Sequence, residues 1–544
     1  MLYVPTNRFG TIKRHPETWG IALISLCVAM CSFWYYYGKG LTNVYPDGNS
    51  KLAHSRRVFD NYDGVFKFAN LGLVWLWGQS SLMLPTVWIP WMYHSGMSGS
   101  IISIASFVMT AVIVYETVRV ITGSKLGGVI ASSIIITTLN LIYFATTPMT
   151  EPQIIASFAL CGLALIKYEV AVKSGSQSLK WLVIAALSFG YAVNVRYDMW
   201  FMTAAIGFPL MALILWTNNV RGWEFIVKLG QIFSVPAAGV LGWIFWQYLQ
   251  TGDPFYFANG PYSAHQKDVV GLNQHDSVGN IVVSIRTYVS AVRWNFDDRI
   301  LVLAVGGALI YGVRFILRKE KLISPVFFAG ICLFNVQSLF SGQSSIAADT
   351  THQLNIRYGL TVVIAIAVLY AYIPGVLSSS SKRFLRYSGY LLAVLAIGLA
   401  AQSLFVQLSD PVENTTVLTG YLTDDYYARV EMAGCMAKHY DDGGILIDVL
   451  PPANEPLTVE SRINQSEFLT ETYSTLWQQA MAEPLYFTDW IYVSSAGDRV
   501  GDSIAQVPNF SSYYDKTSCS NAVGTLYLRK EEYRHHTRDT HVNE

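Results

Sequence analysis

The chain has 544 residues, of which 52% are hydrophobic and 14% charged, against about a quarter charged in an ordinary soluble domain. The equal totals of Lys+Arg and Asp+Glu, 37 each, conceal a split: residues 1–409 hold 28 basic and 16 acidic residues, residues 410–544 hold 9 and 21. This excludes a soluble single-core protein, and it excludes nucleic acid as a partner of the acidic tail.

Apolar segments near the ~20 residues that cross a bilayer recur along the chain. They lie at 19–37, 100–121, 126–146, 152–172, 180–195, 199–217, 229–249, 299–317, 322–340, 359–377 and 387–406. The pattern predicts an all-α polytopic membrane domain of about eleven helices over 1–409. The first segment reads as a retained anchor, because Trp34-Tyr35-Tyr36-Tyr37 is unlike the small-residue site of a cleaved leader. Lys and Arg assign the sides. Arg8, Lys13 and Arg14 precede the first span, Lys125 follows the second, and Lys173 and Lys180 follow the fourth. Arg221 and Lys228 follow the sixth, Arg318, Lys319 and Lys321 the eighth, and Lys382, Arg383 and Arg386 precede the last. All fall on one face if the N-terminus is cytoplasmic, and the plasma membrane is the expected location.

The opposite face then holds the first loop, 38–99, a long loop at 250–298, and the tail. Residues 74–95 are apolar but interrupted by Gly78, Pro85 and Pro90, and carry Trp75, Trp77, Trp88 and Trp91. A span there would reverse the charge pattern downstream, so an interfacial or re-entrant segment is predicted. In the tail, helices are expected at Thr423–Tyr440 and Glu467–Glu483, and strands at Gly444–Leu450, Trp490–Val493 and Thr525–Leu528. Residues 410–530 therefore read as a small extracytoplasmic α/β domain, and 531–544 as a polar, disordered end. Cys435 and Cys519 are available for one disulfide in an oxidising compartment.

Four charged motifs fall on the outer face. The first is Asp47 with Lys51, His54, Arg56 and Arg57, followed by Asp60 and Asp63. The second is Pro148-Met149-Thr150-Glu151-Pro152, the third Asn194-Val195-Arg196-Tyr197-Asp198, and the fourth Asn355-Ile356-Arg357-Tyr358. Charges at span ends can be plain interfacial anchors, but four on one face favour a functional path. A sugar on a lipid phosphate already has a good leaving group. It needs one carboxylate to take the acceptor's proton and cations to hold the phosphate as charge builds there. Asp47 is the expected base. Arg196 and Arg357 are the expected phosphate ligands, with Arg57 and Lys51 behind them, because the guanidinium fork matches phosphate oxygens. Glu151, Asp198 and, in the long loop, His265 complete the expected substrate contacts, although a solvated turn is the alternative for His265. His535, His536 and His541 form an incomplete metal set.

These motifs, in this order, resemble the GT-C superfamily of polytopic glycosyltransferases. The nearest branch is that of protein mannosyltransferases and aminoarabinose transferases using polyprenyl-phosphate sugars. The resemblance rests on Asp47 followed by Leu52-Ala53-His54-Ser55-Arg56-Arg57, on the motifs above, and on Gly252-Asp253-Pro254-Phe255-Tyr256-Phe257, and it covers most of residues 40–410. It implies an external catalytic Asp, a lipid-linked donor, a glycan, lipid or protein acceptor, and inverting transfer. The branch commonly pairs Asp with Glu in its first loop, where this chain has Asp47-Gly48. A divalent cation is a possible cofactor, with Asp47, Glu151 and Asp198 as its carboxylates. The rival reading is a transporter or flippase of lipid-linked sugars. Transporters place their charges near the midplane and commonly repeat their halves, whereas here the charges gather at one face and no repeat is evident.

Overall fold

The computed structural model describes residues 16–60, 62, 67–72, 74–176, 179–261, 263, 265–266, 276–317, 319–348, 353–450, 454–471, 474–495 and 497–534. Arg8, Lys13, Arg14, Asp63, Arg318, His535, His536 and His541 lie outside them, as does the polar end from 535 onward. The chain divides into two compact units. One comprises residues 1–35, 103–146 and 150–417, the other residues 36–102, 147–149 and 418–544.

The first unit carries the membrane helices, and each expected apolar segment is helical. Eight helices across the described residues are long and apolar enough to cross a bilayer: Pro16–Gly38, Met97–Thr122, Glu151–Lys173, Asp198–Thr217, Gly222–Thr251, Asp298–Ile316, Ile356–Ser378 and Arg383–Gln407. Leu179–Ala192 and Ser324–Phe340 are shorter apolar helices. The protein is thus an integral membrane protein. The segment expected as a straight span at 126–146 is instead Lys125–Thr137 and Leu139–Ala145, bent by 69°. Thr138 is the reason: its backbone is extended (φ −80°, ψ 102°) and its hydroxyl donates back to the Ile134 carbonyl at 2.6 Å, a local bond that competes with continuing the helix.

Two contacts join residues of the basic loops to other segments of this unit. Lys125 pairs with Glu17, in the first turn of helix Pro16–Gly38, at 2.5 Å. Lys173, after the fourth span, donates to the carbonyl of Lys321, after the eighth. Glu169 is fully buried and accepts from the backbone of Ile323 and Ser324, satisfying the first amides of the helical segment that begins there.

The second unit joins the first loop to the tail. Residues 74–95 do not span: they form the helices Trp77–Val87 and Pro90–His94, with Leu82, Trp88 and Trp91 exposed. The tail holds a five-stranded sheet in the order Phe468–Leu469, Ile445–Leu446, Trp490–Ser494, Gly524–Arg529, Tyr514–Asn521. The first three strands run parallel, and the last two pair antiparallel. Helix Asp424–His439 starts at Thr423, whose hydroxyl accepts from the Tyr426 amide, a standard N-cap. Two expectations are corrected. Glu467–Glu483 is not one helix, because Phe468 and Leu469 are drawn into the sheet beside Ile445 and Leu446 and the helix is Ser474–Ala482. The strand expected over Gly444–Leu450 pairs only at Ile445–Leu446, since Asp448 turns to Arg499.

Cys435 and Cys519 are joined in a disulfide, 84 residues apart. Closing a loop of that length contributes about 2–4 kcal/mol. Cys435→Ser should therefore lower the melting temperature of the tail, measurable by differential scanning fluorimetry with and without dithiothreitol. A reductant-insensitive wild-type transition would contradict this.

Candidate functional site

In the membrane unit three of the four motifs meet. Glu151 is the first residue of helix Glu151–Lys173, where the helix N-terminus favours a negative charge. Asn194 donates to the Gly190 carbonyl as helix Leu179–Ala192 ends, and the following turn carries Arg196 to the start of helix Asp198–Phe201. Asn355 adopts a left-handed backbone (φ +54°) before the 3-10 turn Ile356–Val362. Asn tolerates that conformation better than most residues, and it turns the chain so that Arg357 points inward.

The three chain segments converge on one carboxylate. Arg196 Nη1 lies 3.0 Å from Glu151 Oε1 and its Nε 3.2 Å from Asp198 Oδ2, while Arg357 Nε is 3.6 Å from the same Glu151 oxygen. The Tyr358 ring lies 5.3 Å from the Arg196 guanidinium and 5.6 Å from that of Arg357. Glu151 is 1% exposed and Arg357 8%. Glu151 Oε2 and both carboxylate oxygens of Asp198 make no hydrogen bond among the described residues. Native interiors rarely leave such atoms unmet. The Gly252–Phe257 run joins this site through Phe257, which stacks on Tyr197 at 4.9 Å.

Two further buried polar residues escape sequence reading. Gln153 and Gln247 are buried, and neither side-chain amide has a partner among the described residues. Gln153 lies two positions beyond Glu151. Gln247 is one turn beyond Trp243, whose indole donates to the Tyr197 hydroxyl at 3.1 Å. The available signal was a polar side chain inside an apolar span. His265 Nδ1 is hydrogen-bonded to the Gly342 carbonyl.

The pairing bears on a divalent cation. Glu151 and Asp198 lie beside two guanidiniums, which match their charge, while three of their oxygens stay open to a further partner.

The second unit contains Asp47, in the first turn of helix Pro46–Arg57 with Pro46 at its start. Proline suits that position, where the missing N–H is not needed, and the helix N-terminus stabilises the ionised carboxylate. The next residue explains the missing second acid. A Cβ at Gly48 would lie 2.9 Å from Pro148 Cγ and 3.5 Å from Met149 Sδ, so a glutamate there would collide with the Pro148-Met149 pair.

The other charges of this helix face inward. Lys51 is buried with its ammonium 4.6 Å from the centre of the Trp75 ring. Arg57 is 1% exposed; its Nη1 lies 3.2 Å from Glu455 Oε1 and its Nε donates to Gln465 Oε1 at 3.0 Å. His54 Nε2 reaches Glu455 at 3.1 Å, and the Ser50 hydroxyl donates to its other oxygen. Burial alone would push the Glu455 carboxyl up. His54, Arg57 and Ser50 together more than offset that and hold it well below the ordinary carboxylate range. Beside it, Arg429 grips Glu460 through two bonds of 3.0 Å, and Asn49 donates to the same carboxylate. Arg57 thus has its counter-charge within the protein.

Residues 92–243 match the family model described as dolichyl-phosphate-mannose-protein mannosyltransferase. No curated protein sequence matches the chain. Among solved structures, ArnT from Cupriavidus metallidurans bound to undecaprenyl phosphate aligns over 95% of this chain and 99% of its own, at 11% identity and a TM-score of 0.52. The apo form of that ArnT gives the same values. The Archaeoglobus fulgidus oligosaccharyltransferase AglB, in complex with an inhibitory peptide and a dolichol-phosphate, aligns over 95% of this chain and 74% of its own, at 13% identity and a TM-score of 0.45. The fold is that of the GT-C glycosyltransferases. The family match covers Glu151, Arg196 and Asp198. Fold and family match together indicate a GT-C-type membrane glycosyltransferase, in keeping with the resemblance carried by the motifs.

Proposed function

We propose that the protein transfers a sugar, with inversion, from a polyprenyl-phosphate carrier to an acceptor hydroxyl at the outer face of the plasma membrane. The observation that carries this reading is the convergence of Arg196 and Arg357 on Glu151 at the head of a membrane span. The donor phosphodiester bears one negative charge. As the bond from the anomeric carbon to the phosphate oxygen breaks, the leaving polyprenyl phosphate gains a second. Two guanidiniums fixed in a largely dry site stabilise that gain. Arg357, the more loosely paired of the two, engages the phosphate, and Arg196 is held between Glu151 and Asp198 as the second cation. Gln247, one turn from Trp243, offers its amide to sugar hydroxyls. Asp47 takes the acceptor proton as its oxygen attacks the anomeric carbon. No step is routed through a metal ion.

The undecaprenyl phosphate bound by ArnT and the dolichol-phosphate in the AglB complex are carriers of the proposed class. The disulfide supports an extracytoplasmic tail, since such bonds persist in oxidising compartments, and a cytoplasmic N-terminus follows from the basic loops. Residues 1–409 would form the catalytic membrane domain and 410–530 the outer domain, with the substrate roles of Lys51 and Arg57 given up to the internal pairings described above and His265 left to its turn.

The direct test is to incubate purified protein with a panel of polyprenyl-phosphate sugars and acceptors. Product of inverted configuration is expected, and lipid flux in proteoliposomes without any product would establish the flippase instead. Arg357→Ala should raise the donor KM at least about tenfold, as loss of a charged hydrogen bond implies, with little change in acceptor KM. Lys at this position should restore only part of it, lacking the planar fork. Equal effects on both substrates would remove Arg357 from the phosphate site.

A further inference from the structure

The tail contains a cavity of about 490 Å³, lined by none of the residues assigned above to the transfer chemistry. This lies within the range of small-molecule sites, about 300–1,000 Å³. Its wall comes from the end of helix Asp424–His439, the turn after it, and the loop after helix Asn454–Glu460. It includes Tyr440, Asp441, Asp442, Arg462, Asn464 and Glu467.

Arg462 is the informative residue. It ends helix Asn454–Glu460 in a left-handed conformation, φ +60°, a position that ordinarily goes to Gly or Asn. An arginine there strains the backbone, so its side chain is retained against a local disadvantage. That side chain is exposed and makes no ion pair among the described residues.

The remaining groups narrow the ligand. Asp441 is already paired with Arg534 through bonds of 2.7 and 3.0 Å. Glu467 is fixed by the Tyr440 hydroxyl at 3.0 Å and by Ser466 at 3.1 Å. Among the described residues the Asp442 carboxylate accepts one bond, from the Gly443 amide. An anion would meet Asp442 and Glu467, and an organic cation would meet Arg462. A neutral polyol satisfies both, since each hydroxyl can donate to a carboxylate and accept from a guanidinium or from the Asn464 amide. Tyr440 adds an aromatic surface of the kind that suits the C–H face of a pyranose.

We propose that this cavity is a binding subsite for neutral glycans, separate from the donor site. In a glycosyltransferase it would hold a glycan acceptor or a product chain, a purpose that rests on the function proposed above, although binding itself does not.

The test uses full-length protein in nanodiscs and saturation-transfer NMR with mannotriose, cellotriose and chitotriose, with mannose 6-phosphate and spermidine as charged comparisons. At least one neutral trisaccharide should receive saturation from wild type in preference to both charged probes. Arg462→Gly should raise the melting temperature by relieving the backbone and still weaken that binding at least tenfold, so the loss cannot be laid to misfolding. Asn464→Ala should weaken it as well. Asp47→Asn should bind like wild type, which separates this subsite from the transfer reaction. Absence of signal from all three trisaccharides, a preference for either charged probe, or unchanged binding in Arg462→Gly would overturn the proposal.

Discussion

Asp47→Asn is expected to lower sugar transfer about a thousandfold, within the range that a positioned general base contributes, while expression, membrane insertion and donor binding stay at wild-type levels. Asn keeps the volume and polarity of the side chain but cannot take the acceptor's proton. Because the loss falls on the chemical step, kcat should drop with little change in either KM. Asp47→Glu should also be poor, since the carboxylate moves by a methylene and Gly48 already marks how closely Pro148 packs against this turn. The measurement is steady-state transfer with a radiolabelled or fluorescent acceptor. Wild-type turnover in Asp47→Asn would end the assignment of Asp47 as base.

Glu455→Ala should be the most damaging substitution in the tail, destabilising the second unit by about 3–5 kcal/mol, as expected when one partner of a buried ion pair is removed. Glu455 receives Arg57, His54 and Ser50 at once, so its loss removes the buried carboxylate that faces the Arg57 guanidinium. The pH dependence follows from the depressed carboxyl. A group whose folded value lies below its unfolded value contributes full stability above the unfolded value, near the ordinary carboxylate range. It loses that stability as pH falls through the folded value. Wild-type melting should therefore decline on acidification below about pH 4, more steeply than in Glu455→Gln, where the group cannot titrate. Thermal melts of both proteins between pH 5 and 3 would check this, and parallel curves would contradict it.

The membrane helices were legible because apolar length is a strong signal, and the motifs of Glu151, Arg196 and Arg357 stood out because several charged groups gather on one side of the apolar segments. The bend at Thr138 was not, since a hydroxyl bonding backwards leaves no mark in hydropathy. In the tail, Trp490–Ser494 and Gly524–Arg529 were legible from their β-branched and aromatic residues. Tyr514–Asn521 was not: Asp515, Lys516, Thr517, Ser518 and Ser520 make it read as a loop, and only Tyr514 and Cys519 are buried in that strand. Arg57 looked like a ligand for phosphate because nothing near it in the chain announced Glu455, which is 398 residues away. Long-range pairing of this kind is the part of a site that a single sequence hides.

The Arg57–Glu455 pairing also bears on how such a chain could be shortened. A version stopping ahead of Glu455 would keep every membrane span and the proposed base, yet strip the opening loop of the carboxylates that let its cationic helix lie in an interior. That helix would have to seek water and unravel. The C-terminal segment is therefore not an optional appendage, and a minimal active form should not be obtainable by C-terminal deletion.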